Sequence, residues 1–229
     1  MSKAEPVRFE CPACGHSCPI WLPESVNAAT DPQAREALLA GTLMRYPCEA
    51  CGESCVIERE LLYTDLDRGT FILVFPRARE KEASALADVA REVFRQAVTG
   101  APRIIAEAYA HIEPRVVFGY DQLREKVVCT EAGLDDRVIE AVKHMLLQVP
   151  GAAQSGVSGL LLTQVGEQGE LYFAQIGTAF TPDQRPLLGV ERAIYDDMTS
   201  GRMSDLLKRD DMLGGPYVSQ RRLLPEGLP

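Results

Sequence analysis

Basic residues are scarce in this sequence. Its 24 Lys and Arg stand against 33 Asp and Glu, a formal net charge of -9. Nucleic-acid binders gain most of their affinity by neutralising phosphates, and anionic membranes likewise attract positive surfaces. We therefore expect neither nucleic acid nor a membrane as the partner.

Long apolar runs are also lacking. No stretch approaches the roughly 20 apolar residues that cross a bilayer. The first residues contain no apolar segment of the kind found in secretion signals. We therefore expect a cytoplasmic protein, and in that compartment clustered cysteines are metal ligands more often than disulfide partners.

Catalytic motifs are the third absence. The sequence contains no nucleophile elbow and no Ser/His/Asp arrangement. Gly151, Gly156 and Gly159 resemble a phosphate-binding loop, but no Lys-Ser or Lys-Thr follows them. We therefore predict no catalytic residue, while an enzyme with an unidentified site in the C-terminal half remains an alternative.

What the sequence does contain is an internal cysteine repeat. Residues 11–20 (CPACGHSCPI) and residues 48–57 (CEACGESCVI) share seven of ten positions. Each copy is predicted to form a C-x-x-C-G turn before a strand, in which backbone amides point at the sulfurs. The glycine permits the left-handed backbone that such a turn needs.

The two turns together supply four thiolates, from Cys11, Cys14, Cys48 and Cys51. Four sulfurs in a tetrahedron are a preferred shell for a structural Zn²⁺ ion. An iron ion could use the same four sulfurs. Iron–sulfur clusters usually have other spacings, and a redox dithiol usually begins a helix rather than a strand. The repeat therefore predicts a structural zinc site, with no other cofactor.

The remaining cysteines and the single tryptophan have weaker interpretations. Cys18 and Cys55 could be further ligands of a two-metal site, or a disulfide, or small buried side chains, and we favour the last. Cys129 is expected in the core. Trp21 could be an exposed anchor for a partner, but we favour a core position.

The periodicity of apolar residues predicts an α+β fold. A zinc-ribbon-like antiparallel sheet at the N-terminus is followed by a helical segment and then by a C-terminal β-hairpin with short helices. Helices are expected at residues 33–40, from about 80 to 99, at 122–132, after Asp135, at 190–198 and at 203–208. Strands are expected at residues 56–65, 70–75, 160–165 and 171–176. We divide the chain into a metal-binding module (1–78), a helical part (79–150) and a C-terminal α+β extension (151–229).

A polar face on the helix after Asp135 is a further candidate site. Asp136, Glu140 and His144 recur every four residues, so they share one face. Such a set could hold a metal or perform acid–base chemistry. Because the face lies opposite the apolar stripe, we favour a solvated, ion-paired surface.

The sequence resembles the bacterial CpXC domain family over roughly residues 9 to 150. The resemblance rests on the two knuckles and on these further segments: Val26-Asn27, Asp31-Pro32, Leu62-Tyr63-x-Asp65, Arg115-Val116-Val117, Leu123-Arg-Glu-Lys126 and Leu134-Asp-Asp136…Glu140…Lys143. Glu49 departs from the proline of a second C-P-x-C, which leaves the thiolates untouched. The resemblance implies a metal-binding domain without an established activity.

These features favour a non-enzymatic zinc-binding protein that acts by binding another protein. A closed four-sulfur site leaves no position for a substrate. The alternatives are the enzyme named above and a transcription- or RNA-associated regulator, since zinc ribbons are common among such proteins. The sequence leaves the partner and the oligomeric state open.

Overall fold

The computed structural model describes residues 3–151, 153–154, 156–181, 184–200 and 213–223. Within these residues, no helix has the length and the apolar composition needed to cross a membrane. The chain forms two compact units, Met1–Leu123 and Arg124–Pro229. The division into residues 1–78, 79–150 and 151–229 remains a prediction.

The first unit is a mixed sheet with helices. Its strands are β1 (Lys3–Glu10), β2 (Ser17–Asn27), β3 (Arg45–Pro47), β4 (Ser54–Val56), β5 (Leu61–Asp65), β6 (Thr70–Phe75) and β7 (Arg115–Phe118). Its helices are α1 (Pro32–Leu39), α2 (Ala83–Thr99) and α3 (Arg103–Tyr109). The boundary between the two units falls inside the next helix, α4 (Tyr120–Glu131).

Five of these strands form one sheet in the order β1-β2-β5-β6-β7, and β3 pairs separately with β4. The hairpins β1–β2 and β3–β4 are antiparallel, as predicted for the zinc-ribbon-like part. The structure adds two parallel pairings, β2 with β5 and β6 with β7. Only Ser25, Val26 and Asn27 of β2 pair with β5. The rest of β2 therefore forms a two-stranded ribbon with β1.

Local sequence signals explain where several of these elements begin and end. The Asp31 side chain caps α1 by accepting a 3.0 Å hydrogen bond from the Ala34 amide, and Pro32 provides a preset first helical residue. Between β5 and β6, Gly69 adopts a φ of 68° at the turn that joins them. The predicted strand at 70–75 and the end of α2 before Gly100 are confirmed.

One predicted strand is interrupted. Residues 56–65 were expected to form a single strand, but the ladder of β4 ends at Val56 and β5 begins at Leu61. Between them, the Tyr120 hydroxyl accepts from the Arg59 amide at 3.2 Å and donates to the Arg59 carbonyl at 2.9 Å. The interruption follows from a change of partner, because the chain leaves β3 and joins β2.

The core of the first unit lies between α2 and the sheet. Helix α2 packs on β6 and β7, and its buried residues are Leu86, Ala87 and Ala90. The rings of Phe71 and Phe94 meet edge to face with their centroids 5.0 Å apart. Tyr63, Ile72 and Phe118 are almost fully buried as well. This unit thus has an apolar core of its own beside the cysteine turns.

The second unit packs a helix on a small antiparallel sheet. Among its described residues, the elements after α4 include α5 (Asp136–Gln148), β8 (Val157–Val165), β9 (Leu171–Gly177), β10 (Leu187–Val190), α6 (Arg192–Ser200) and a 3-10 turn at Gln220–Leu223. The sheet order is β10-β9-β8. The predicted hairpin and α5 are confirmed, whereas β10 was not predicted. The helix predicted at 203–208 lies outside the described residues.

The core of this unit is formed by the apolar stripe predicted on α5. Val138, Ile139, Val142 and Leu146 belong to a buried cluster that also includes residues of β8, β9 and α6. Cys129 of α4 lies in the same cluster and is 1% exposed, so its predicted core position is confirmed.

Candidate metal centre

Each cysteine turn is the tip of a β-hairpin. Residues 11–16 connect β1 to β2, and residues 48–53 connect β3 to β4. Both turns use the same hydrogen bonds. The amides of Cys11 and Cys48 donate to the carbonyls of His16 and Glu53, each at 2.8 Å. The carbonyls of Cys11 and Cys48 accept from Gly15 and Gly52, again at 2.8 Å. The sequence repeat is therefore also a structural repeat.

The glycine of each turn adopts the backbone conformation that the sequence predicted. Gly15 has a φ of 72° and Gly52 a φ of 75°, which lies in the left-handed region that costs other L-residues about 1–2 kcal/mol. An added Cβ would meet no atom within 4 Å at either position. The glycines are therefore required by backbone conformation and not by lack of space.

The two tips bring the four cysteines together. The sulfurs of Cys11, Cys14, Cys48 and Cys51 all lie within 4.8 Å of one another, so this group could hold a metal ion. Across the tips, the Sγ atoms of Cys11 and Cys51 are 3.8 Å apart and those of Cys14 and Cys48 are 3.7 Å apart. A tetrahedral ion with metal–sulfur bonds of about 2.3 Å separates its sulfurs by about 3.8 Å. These two distances across the tips therefore match such a shell.

The backbone of each turn favours the thiolate form of its first cysteine. Hydrogen bonds from the Ala13 and Cys14 amides lower the pKa of Cys11 to about 7. The corresponding amides of Cys51 and Ala50 lower the pKa of Cys48. The first cysteine of each turn is also buried, whereas Cys14 and Cys51 are exposed. The site therefore opens to solvent on the side of its two second cysteines.

The second cysteines behave oppositely. The His16 amide lowers the pKa of Cys14, but hydrogen bonding with Cys51 and burial outweigh it and raise that pKa to about 12. Hydrogen bonds from the Glu53 amide and with Cys14 lower the pKa of Cys51. Desolvation and the hydrogen bonds with Cys48 and Cys11 outweigh them, so the pKa of Cys51 is raised as well. Neighbouring thiolates disfavour one another, and a bound cation would reverse this effect. The donor set therefore fits a metal cation.

Cys18 and Cys55 lie outside this group of four. All seven cysteines of the chain fall within the described residues, and each is a free thiol. Cys18 is 8% exposed, and Cys55 is half-buried on β4. The prediction that both are small buried side chains is thus confirmed for Cys18 and only partly for Cys55.

The sequence model of the CpXC protein family matches residues 9–143, which is more than half of the chain. The chain belongs to the CpXC family. A search among curated proteins and a search among solved structures each found no match. Family membership therefore supports the cysteine site and names no reaction or partner.

The CpXC match ends inside α5, and the charged residues near its end meet in a buried cluster. Lys143 Nζ lies 2.9 Å from Glu125 Oε2 and 2.8 Å from Glu140 Oε1. Lys126 Nζ lies 3.0 Å from Asp136 and 3.3 Å from Glu140. We refer to these five side chains as the ion network. The side chains of Glu125, Lys126, Glu140 and Lys143 are at most 5% exposed.

The ion network corrects one expectation. Asp136 and Glu140 are ion-paired, as the favoured interpretation required, but the predicted solvation of that face is wrong for Glu140. Glu140 is covered there and is paired with the lysines of α4 and α5. The sequence signal that was missed is Lys143, which follows Asp136 and Glu140 at helical spacing and shares their face.

Trp21 is the other correction. Its favoured core position is wrong, because the side chain is 66% exposed. It lies on β2 directly across from Pro6 of β1, and its strand neighbours on the same face, Pro19 and Pro23, lie across from Arg8 and Ala4. Pro6, Arg8 and Pro19 are exposed as well. We refer to this side of the ribbon as the Trp21 face.

Proposed function

We propose that this CpXC protein is a non-enzymatic zinc-binding protein that works by binding another protein. In this proposal the four cysteines hold one structural Zn²⁺ ion, which ties the tip of β1–β2 to the tip of β3–β4. The ion would cross-link the two hairpins. It would not act on a substrate, because four thiolates complete its tetrahedral shell. A cytosolic setting, in which thiols stay reduced, is part of the proposal.

Zinc is the metal that this donor set favours. Four thiolates at tetrahedral spacing suit Zn²⁺, which has no redox chemistry and no geometric preference of its own. Iron can use the same four sulfurs, so the choice between the two requires elemental analysis.

The observation that carries the protein-binding part of the proposal is the exposure of Trp21. An indole exposed to 66% leaves a large apolar area in water, and tryptophan is strongly enriched among residues that dominate interface energies. Its surroundings suit a rigid contact surface, because the three prolines on that face have fixed φ angles. Tyr46 of β3 supports the strand at this point by donating a 2.8 Å hydrogen bond to the Trp21 carbonyl.

The same face is better suited to side-chain contact than to strand addition. Strand β1 is an edge of the five-stranded sheet, and a long edge strand can accept a further strand from another chain. Pro6 lies in the middle of this edge and has no N–H group to donate. The proposal therefore assigns recognition to the indole and its proline neighbours.

The test uses the fact that Trp21 is the only tryptophan. A protein captured from native lysate by the full-length chain is identified, purified and titrated into the chain while Trp21 emission is recorded. We expect the emission to shift to shorter wavelength, because binding transfers the indole from water to an interface. Trp21→Ser should weaken binding by roughly thirtyfold or more, the effect typical of an interface hot spot.

A matched control is available in the second unit. Leu187 is also a large apolar side chain and is 56% exposed, so Leu187→Ser removes a comparable exposed group elsewhere. The proposal requires this variant to bind as the wild type does. Equal binding by the wild type and Trp21→Ser would contradict it.

A further inference from the structure

The ion network is completed by backbone groups from the chain that follows the CpXC match. Glu140 Oε2 accepts a 2.6 Å hydrogen bond from the amide of Gln220, and Lys126 Nζ donates at 3.1 Å to the carbonyl of Val218. Glu125 Oε1 accepts at 2.6 Å from the amide of Leu162 in β8. Residues of the matched region thus depend on partners that lie beyond residue 143.

Two of these three partners belong to a single segment, residues 213–223. The segment has apolar anchors in the core of the second unit, since Leu213 is 1% exposed and Val218 is 3% exposed. It also closes on itself, because the Arg222 guanidinium donates to the carbonyls of Gly214 and Tyr217 at 2.6 and 2.8 Å. We refer to residues 213–223 as the strap.

The three N–H groups of the Lys126 ammonium each have an acceptor, on Asp136, Glu140 and Val218. Lys143 is shared between Glu125 and Glu140. Removing the strap would take one hydrogen-bond donor from Glu140 and one acceptor from Lys126. A buried charged group that loses its hydrogen bond is costly.

We propose that the ion network is a lock that holds the strap on α5, and that the strap opens as a separate element when the lock is broken. The lock acts through the Gln220 amide and the Val218 carbonyl, so it recognises the strap by its backbone. Hydrogen bonds to charged groups in buried sites are among the strongest in proteins, and two of them act on three consecutive residues of the strap. Sheet β8–β10 has its own ladder and is expected to remain closed.

The experiment is amide hydrogen exchange on the full-length chain with two variants of one residue. Gln220→Pro removes the N–H group that Glu140 binds, at the first residue of a 3-10 turn, where proline is tolerated. Gln220→Ala removes the same side chain and keeps the N–H group. We expect amides of the strap to exchange roughly tenfold or more faster in the proline variant only. The amides of β8 and β9 should be unchanged in both.

A second variant tests the lock from the other side. Glu140→Gln removes the charge that holds the Gln220 amide and should open the strap as Gln220→Pro does. Three outcomes would overturn the proposal: unchanged exchange in the proline variant, equal opening in the alanine variant, or loss of protection throughout α5 and β8 in both Gln220→Pro and Glu140→Gln. The last outcome would mean that the strap cannot open without the unfolding of the unit.

Discussion

The four cysteines of the candidate metal site differ in burial within each pair. Cys11 and Cys48 are buried and have thiolates stabilised by backbone amides, whereas Cys14 and Cys51 are exposed at the surface. The two first cysteines therefore form the covered side of the candidate site, and the two second cysteines form its open side.

At the scale of single residues, the first prediction concerns metal content. The wild-type chain should carry about one zinc ion, since four thiolates fill one tetrahedral site. Cys51→Ala should lose most of this metal on gentle purification, because three thiolates leave the shell incomplete. Elemental analysis of the purified proteins gives the result directly.

Cys55→Ala is the matched control for this prediction. Cys55 lies four residues after Cys51 on the same hairpin but outside the group of four, so its removal should leave the zinc content unchanged. Two zinc ions per wild-type chain, with one lost in this control, would instead make Cys55 a ligand. Iron in place of zinc would contradict the assigned metal.

At the scale of elements, the second prediction concerns what the metal stabilises. The hairpin β3–β4 has three residues in each strand and no pairing with the larger sheet, so its order should depend on the metal. Strands β5 and β6 and helix α2 share an apolar core that includes Tyr63, Ile72 and Ala90. Metal binding stabilises only the part of the chain whose folding depends on the bound metal.

The test is hydrogen exchange with and without a strong chelator. Amides of the two tips and of β3–β4 should lose protection when the metal is removed, while those of β5 and β6 keep theirs. Loss of protection in β6 as well would show that the hairpins and the sheet unfold together, and it would extend the metal-dependent part of the chain.

The third prediction concerns the helix pair α4–α5 and pH. Burial opposes the charged forms of Lys126 and Lys143, but the nearby carboxylates outweigh it and raise the pKa of both ammonium groups. A lysine whose pKa is higher in the folded than in the unfolded state stabilises the fold. This contribution is fully present at pH values below the pKa of the unfolded chain, about 10.4. That contribution is lost as the pH rises through the folded pKa.

Urea unfolding is measured between pH 9 and pH 12 by the helical circular dichroism signal. The free energy of unfolding should decrease as the pH rises above about 10.4. Lys81→Met is a suitable control, because Lys81 is exposed and lies far along the chain from the network. That variant should show the same loss as the wild type. A stability that stays constant over this range would mean that the network does not remain charged.

At the scale of the whole molecule, the fourth prediction is that the chain does not bind nucleic acid at physiological salt. Residues 1–62 contain five Lys or Arg against nine Asp or Glu, a net charge of -4. A Zn²⁺ ion with four thiolates adds a net -2. Few phosphates could be neutralised by such a surface. The adjacent Arg221 and Arg222 are the basic pair nearest the C-terminus, and Arg222 already bonds within the strap.

Fluorescence anisotropy with mixed-sequence DNA and RNA at near-physiological salt tests this prediction. Binding at micromolar concentration or tighter, with a steep dependence on salt, would contradict it. That result would also favour the transcription- or RNA-associated regulator over the protein-binding proposal.

The sequence by itself determined the features that depend on short segments. The C-x-x-C-G repeat specified both turns with their left-handed glycines, and the apolar stripe of α5 specified that helix. In each case the residues that fix the structure lie within a few positions of one another, so local backbone preference and periodicity are sufficient. The residues of the candidate metal site could be named for the same reason.

Only the tertiary structure decided which side chains are covered and which strands are neighbours. The pairing of β2 with β5 joins segments about 37 residues apart, and the burial of Glu140 and Lys143 depends on backbone groups near Leu162 and Gln220. The exposure of Trp21 depends on what packs against its strand. A charged side chain can be buried only where distant parts of the chain supply its partners, and an indole stays in water where no distant segment packs on it. A local sequence pattern does not contain that information.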